Sequence, residues 1–346
     1  MSGSNHSLLL KSNNEIWAYG NNLSGQLGDN TRTGKSSPIL VVGNHSFIEV
    51  SNGESYSLAR KSNGEIWSWG DNTYGQLGDD TTTDKSSPVL VVGSHSFVEI
   101  SVCFGPSGFG YYLESTLARK SNGEVWAWGY NSRGQLGDNT TSSKSSPVLV
   151  VGGHSFVEIS CGEQHSMALK SNGEVWSWGY NEYGQLGDNT TLNKSSPVLI
   201  VGSHSFVKIY SAYYHSLALK SNGEVWTWGY NYKGQLGDDT ITDKSSPVLV
   251  VGNHSFVEIY AGNIYSLARK SNGEVWSWGY NYYGQLGDNT TLNKSSPILV
   301  VGNHNFASVK SSIGEIVWGS SDQYAEESTI KTFKENVSGI RYLIEG

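Results

Sequence analysis

Apolar and polar residues alternate along this chain in short bursts that return about every fifty positions. In one full unit, HSLALKSNGEVWTWGYNYKGQLGDDTITDKSSPVLVVGNHSFVEI (His215 to Ile259), four segments carry a strand-like pattern. They are FVEI, HSLAL, EVWTWG and PVLVV, here termed a, b, c and d. Segment c alternates cleanly, with Val225 and Thr227 directed one way and Trp226 and Trp228 the other. Between b and c lies SNGE, and Asn-Gly favours a tight hairpin because both central residues take positive φ. The pair stands at Asn63-Gly64, Asn122-Gly123, Asn172-Gly173, Asn222-Gly223 and Asn272-Gly273, with Asn13-Asn14 in the first copy. Apolar residues nowhere follow a helical period for long enough to make a helix, so the chain reads as all-β.

The motif GQLGD begins at Gly25, Gly75, Gly134, Gly184, Gly234 and Gly284, at intervals of 50, 59, 50, 50 and 50 residues. Six full units run to about residue 302, and a degenerate seventh covers about 303–346, keeping Trp318-Gly319 but shorter by about ten residues. Four antiparallel strands per unit, repeated in tandem, are the signature of a propeller blade. The chain starts at a b segment (NHSLLL) and ends on an a-like one (GIRYLIEG), and pairing the two would close a ring. The expectation is a single domain over residues 1–346, a seven-bladed β-propeller whose last blade is depleted.

The pattern HSLALKSNGEVWSWGYNxxGQLG resembles the repeat of the regulator-of-chromosome-condensation (RCC1-like) propellers, and six full copies carry the resemblance over essentially the whole chain. Members of that family include a nuclear exchange factor for a small GTPase, ubiquitin-ligase modules and a bacterial inhibitor of β-lactamases. The resemblance therefore implies the fold strongly and the function only loosely.

Composition narrows the function. Lys and Arg number 23 against 31 Asp and Glu, a net charge of −8 with no basic run, which argues against nucleic acid. No apolar run reaches a membrane span, and the first residues lack a secretory signal. A cytoplasmic location is expected, with a viral particle or an extracellular setting as alternatives. Cys103 and Cys161 fall at neighbouring but not identical places in successive repeats, which reads as two free thiols in a reducing compartment, with a disulfide between them as the lesser alternative. They offer no structural zinc site.

The recurring motifs read as structural. GQLGD lacks the Lys-Ser/Thr of a phosphate loop and leads into Asn-Thr-Thr, so its glycines serve a tight turn while Gln and Asp satisfy backbone groups. His45, His95, His154, His204, His254 and His304 recur before segment a as turn or packing residues. His6, His165 and His215 open b segments where Tyr56 and Tyr265 replace them elsewhere, which suggests a hydrogen-bonding wall position. The KSSP tetrads read as turns before segment d. Asp29, Asp79, Asp138, Asp188, Asp238 and Asp288 are equivalent copies, and no nucleophile-base constellation occurs in one place. No enzyme activity, cofactor or metal is expected.

Differences between copies carry the remaining information. The a–b and c–d loops vary, while the b–c and d–a turns hardly move. In an antiparallel four-stranded sheet the two variable loops leave by the same end. Their variable positions hold Tyr74, Arg133, Tyr183, Tyr213, Tyr214, Tyr232, Lys233, Tyr282 and Tyr283. Nine extra residues lengthen the a–b loop entering the third repeat, adding Phe104, Phe109, Tyr111 and Tyr112 as a candidate finger or channel plug. Tyrosine gives large contact area at low entropic cost, as binding surfaces require. The expected function is a recognition scaffold, monomeric unless built into an assembly, that binds a protein or, as a lesser alternative, a glycan. Guanine-nucleotide exchange on a small GTPase and a decoration role on a phage or viral particle are the competing readings.

Overall fold

A computed structural model describes residues 5–103, 113–302, 306–312, 315–320, 331–332 and 341–344; beyond Phe306 it describes strands only. These residues form seven sheets, one per repeat in chain order. The first has three strands, His6–Leu10, Ile16–Gly20 and Lys35–Leu40. The second is typical of the full repeats: Glu49–Asn52, Tyr56–Arg60, Ile66–Gly70 and Lys85–Leu90 in simple antiparallel order. Two compact units are distinguished. One is Met1–Ser171 with Trp176–Tyr180 and Leu192–Leu199; the other is Asn172–Val175, Asn181–Thr191 and Ile200–Gly346.

Two expectations about strands need correction. The KSSP tetrad is not a turn before segment d. It is most of the strand itself, as in Lys85–Leu90, and the two valines after it lie beyond the strand end. Proline is tolerated there because this is an edge strand whose register shifts between Ser68 and Gly70, so no ladder bond needs its missing N–H. The C-terminal strand Arg341–Ile344 is the second exception. It lies inside the last sheet, parallel to Glu315–Ser320 and antiparallel to Lys331–Thr332, so the pairing expected with the first strand is not the one it makes. The seventh repeat has no PVLVV segment, which leaves an open edge on its Trp-Gly strand for Arg341–Ile344 to fill.

Consecutive sheets are joined by one repeated contact. The main-chain carbonyls of Gln26, Gln76, Gln135, Gln185 and Gln235 accept the indole N–H of Trp69, Trp128, Trp178, Trp228 and Trp278 at 2.9–3.0 Å. Those of Gln26, Gln135, Gln185 and Gln235 also accept the hydroxyl of Ser57, Ser166, Ser216 and Ser266 at 2.8–2.9 Å. The GQLG turn thus satisfies the buried polar atoms of the next repeat while its leucine enters the core. The fit tolerates no side chain at Gly137, whose φ is +68° and where a Cβ would lie 2.7 Å from the Trp178 indole nitrogen.

Apolar contacts follow the same interleaving. In the first unit Leu8, Ile16, Ala18 and Leu27 close on Phe47, Val50, Ala59 and Trp69 of the next repeat. In the second, Leu217, Leu219 and Val225 meet Phe256, Ile259 and Trp278. Segment c serves both sides, Val225 facing the following repeat and Trp228 the preceding one, in the alternation read from the sequence. The histidines at the d–a turns are packing residues: His45, His95, His154, His204 and His254 lie 4.1–4.2 Å, centroid to centroid, from Trp67, Trp126, Trp176, Trp226 and Trp276. His304 lies outside the described residues.

The His/Tyr position at the start of segment b is a buried wall. His6 Nε2 is 2.8 Å from Ser57 Oγ and His215 Nε2 is 2.9 Å from Ser266 Oγ. Ser57 and Ser266 already donate to the Gln26 and Gln235 carbonyls, so each accepts from the imidazole, which fixes the Nε2–H tautomer. At the same position Tyr56 places its hydroxyl 2.9 Å from Thr116 Oγ1. Burial holds His6 neutral, its pKa pushed down to about 4.

Cys103 and Cys161 are joined in a disulfide, contrary to the free-thiol expectation, and their Cα atoms stand 4.7 Å apart. Segment a of the third repeat runs beside segment a of the fourth, where the Cys161 N–H donates to Ser101 Oγ at 3.2 Å. The extra length of Phe97–Cys103 carries Cys103 one position past the residue equivalent to Cys161, and that offset brings the two sulfurs together. The bridge spans a sequence separation of 58, for which loop-closure entropy gives roughly 4 kcal/mol. Converting both cysteines to serine, or adding a strong reductant, is expected to lower the denaturant midpoint by a corresponding amount. An unchanged midpoint under reduction would contradict this.

Candidate functional site

The variable loops are held by an invariant frame. In each c–d loop one asparagine ties the chain together: Asn231 Nδ2 donates to Asp238 Oδ1 at 3.0 Å and to the Thr240 and Thr242 carbonyls, while its Oδ1 accepts the Leu236 N–H at 2.9 Å. Asp238 in turn accepts from Thr240 and pairs with Lys244 at 3.4 Å. The glutamine of GQLG adds a second tie through its side chain. Gln76, Gln135, Gln185, Gln235 and Gln285 Oε1 accept the backbone N–H of Tyr74, Arg133, Tyr183, Lys233 and Tyr283 at 2.9–3.0 Å. Gln and Asp therefore satisfy backbone groups, as the motif implied. The residues presented two places after the asparagine stand on a rigid main chain.

Four of these presented residues lean on the next repeat. Tyr74 meets Tyr130 at 4.8 Å between ring centroids, Arg133 lies 5.2 Å over Tyr180, Tyr183 meets Tyr230 at 4.9 Å, and Lys233 lies 5.9 Å from the Tyr280 ring. Tyr130, Tyr180, Tyr230 and Tyr280 directly precede the invariant asparagines. They are absent from the candidates read from the sequence, which in this loop were drawn from the C-terminal side of each asparagine alone. The signal was present: this column is Asn21 and Asp71 in the first two repeats and tyrosine in the next four.

In the second unit these residues gather into two clusters. Tyr214, from an a–b loop, meets Tyr213 at 4.2 Å, Tyr183 at 5.1 Å and Tyr230 at 6.2 Å. The a–b and c–d loops do therefore emerge together. In the other cluster Tyr282 and Tyr283 pack edge to face at 4.9 Å, Tyr280 stacks near Tyr282, and Lys233 lies 4.6 Å over Tyr232. Tyr232 and Tyr282 are 61% and 66% exposed, and Ile241 and Leu292, further along the same two c–d loops, are 61% and 68% exposed. Apolar side chains this exposed on ordered loops mark a surface suited to association. Phe104, Phe109, Tyr111 and Tyr112 lie outside the described residues.

One polar cluster was not foreseen. Just after the insertion, Glu114 is fully buried and accepts the Glu54 N–H and the Ser55 hydroxyl, the latter at 2.9 Å. Burial outweighs these hydrogen bonds, and the neighbouring Asp71 and Glu54 add to it, pushing the Glu114 pKa up to about 8. The carboxyl anchors the base of the third a–b loop to the loop of the repeat before it. Among the described residues no group of His, Cys, Asp and Glu side chains could hold a metal ion, and no helix is long and apolar enough to cross a membrane.

Residues 113–325 match the RCC1-like domain family, and the regulator-of-chromosome-condensation repeat is matched again at 63–105 and at 2–26 and 47–76. The chain belongs to the RCC1-like domain family. Its all-β architecture, a β-propeller built from RCC1-like repeats, is shared with human WBSCR16 (TM-score 0.75, 21% identity, 89% of this chain and 82% of that one). Yeast RCC1 (Prp20), in a structure bound to Kap60, is similar at TM-score 0.73 and 22% identity over 89% of this chain and 76% of that one. Human E3 ubiquitin-protein ligase HERC2 is 42% identical over 53 residues, 15% of this chain and 1% of the ligase. The chain thus spans a small fraction of the curated relatives it matches.

Replacing Glu114 by glutamine isolates its linkage to pH. A carboxyl whose folded pKa is raised contributes its full stability below the ordinary value near 4.5, and that contribution is lost as pH rises towards 8. Glu114→Gln is expected to match the native chain at pH 4.5 and to exceed its unfolding free energy at pH 8 by about 4 kcal/mol. Parallel denaturation curves at pH 4.5 and pH 8 that stay superimposed would contradict the assignment.

Proposed function

We propose that this RCC1-like chain is a non-enzymatic recognition scaffold that binds a protein through the end of its sheets where the a–b and c–d loops emerge. The observation that carries the reading is the exposed tyrosine cluster of Tyr232, Tyr282 and Tyr283, held on loops whose backbone is fixed by Asn231, Gln235, Asn281 and Gln285. Rigid aromatic side chains on a pre-ordered backbone lose little entropy on binding, which is how affinity is gained from modest area. Yeast Prp20 supports a protein partner by analogy, since its structures describe binding to Kap60, Gsp1p and histones. A glycan would also use aromatic platforms and is the lesser alternative, as is a decoration role on a viral particle.

Guanine-nucleotide exchange fits less well. In the family's exchange factor the nucleotide-displacing wedge follows the Trp-Gly strand of one repeat. Here each full repeat keeps four residues between that glycine and GQLG, as from Gly229 to Gly234. A nucleotide-release assay over a panel of small GTPases is expected to show no acceleration by this chain, and acceleration would reinstate the exchange reading. The scaffold reading is tested by combining Tyr232→Ala, Tyr282→Ala and Tyr283→Ala. The triple variant is expected to retain none of the proteins that the native chain captures from its host's lysate, with its melting temperature unchanged because all three are exposed. Equal capture by both chains would refute the scaffold reading.

A further inference from the structure

Lys233 is set apart from the other lysines around it. In the second unit Lys220, Lys244, Lys270 and Lys294 each lie within 3.4 Å of a carboxylate, on Glu224, Asp238, Glu274 and Asp288. Lys233 has no carboxylate within ion-pair reach among the described residues. Its ammonium lies instead 4.6 Å from the centre of the Tyr232 ring and 5.9 Å from that of Tyr280. Tyr280 is stacked near Tyr282, at 6.4 Å with 14° between planes, and Tyr283 meets it edge-on at 6.1 Å. A positive charge that no described carboxylate neutralises thus stands at the edge of an exposed aromatic patch, on a protein whose net charge is −8.

From this arrangement, and resting on the scaffold reading above, we infer that the Lys233–Tyr232–Tyr280–Tyr282–Tyr283 cluster receives an acidic side chain of the protein partner, an aspartate or glutamate flanked by apolar residues. Charge selects the occupant. In an acidic chain an ammonium with no carboxylate partner among the described residues is complementary to a carboxylate and repels a basic peptide. The aromatic frame selects the neighbours of that carboxylate. Tyr232 at 61% and Tyr282 at 66% exposure offer apolar area within the cluster, and covering them excludes water from the ion pair. A phosphate group fits less well, because phosphate sites gather arginines or several N–H donors, whereas one ammonium over rings matches a single negative charge. The tyrosines also restrict where the lysine stem can lie, so part of the ordering cost of the ion pair is met before binding.

The test uses the full chain and a displayed library of random twelve-residue peptides as the probe. Peptides enriched on the native chain are expected to carry Asp or Glu next to aliphatic or aromatic residues. Their affinity is expected to fall at least ~10-fold with Lys233→Gln, and Lys233→Glu is expected to invert the preference towards Lys and Arg. Thermal unfolding of both variants should match the native chain, since Lys233 makes no ion pair among the described residues. Enriched peptides that are no more acidic than the library, yet are lost with the triple tyrosine variant, overturn the carboxylate assignment and leave the scaffold reading standing. Acidic peptides that bind Lys233→Glu as well as the native chain overturn it too. Failure to enrich any peptide counts against both readings.

Discussion

The structure depends on one acceptor: the main-chain carbonyl of the glutamine in GQLG. It takes the indole N–H of the next repeat's buried tryptophan, and in four of the junctions described a serine hydroxyl as well. Both lone pairs are then used at a buried position. A buried donor left without its partner costs about 1–3 kcal/mol, so neither side of the junction can change alone. Glycine is required beside the carbonyl because the tryptophan ring occupies the space a Cβ would need. Gly, Gln, Trp and Ser are thereby bound to one another across repeats, and the monotony of the sequence comes from this constraint.

The same constraint decides where variation is allowed. The side chain of that glutamine reaches back to the N–H two residues earlier and leaves the side chain at that place free to differ. The frame fixes the backbone at Tyr74, Arg133, Tyr183, Lys233 and Tyr283 and is indifferent to their chemistry. Drift at a loose loop would scatter polar residues. Here the positions after the first repeat's Ser24 hold large planar or cationic side chains and, from the second repeat to the fifth, find a tyrosine on the next repeat to lean against.

Most of this was legible in the chain because the interactions are local and repeated. Asn-Gly, the alternation in EVWTWG and the constant asparagine each declare themselves within one unit. What was not legible depends on neighbouring repeats being brought side by side. The Cys103–Cys161 bridge comes from a one-residue offset between adjacent strands, which spacing alone does not reveal. KSSP reads as a turn from its residue types and forms a strand because an edge position excuses its proline. Tyr130, Tyr180, Tyr230 and Tyr280 look like ordinary loop residues until the preceding repeat is laid against them. The last repeat departed from expectation because an unfilled strand edge is a stronger local demand than symmetry.

The buried titratable groups show what rigidity costs here. His6 is kept neutral by burial, and Glu114 is kept protonated well above the usual carboxyl range by the same cause. Both effects oppose stability, the histidine as pH falls below about 6.5 and the carboxyl as it rises above about 4.5. They overlap in the mildly acidic range between those two values, where each is partly in force. Histidine is exchangeable with tyrosine at its position, as Tyr56 and Tyr265 demonstrate, so the wall needs a donor and not a titrating group. Glu114 is different, because the equivalent place holds Ser55 and Gln164 in neighbouring repeats. A carboxyl there lets the base of the one lengthened loop seize the N–H and hydroxyl of the preceding a–b loop. With the disulfide holding Cys103 to the following repeat, the described residues on both sides of the insertion are anchored to different neighbours.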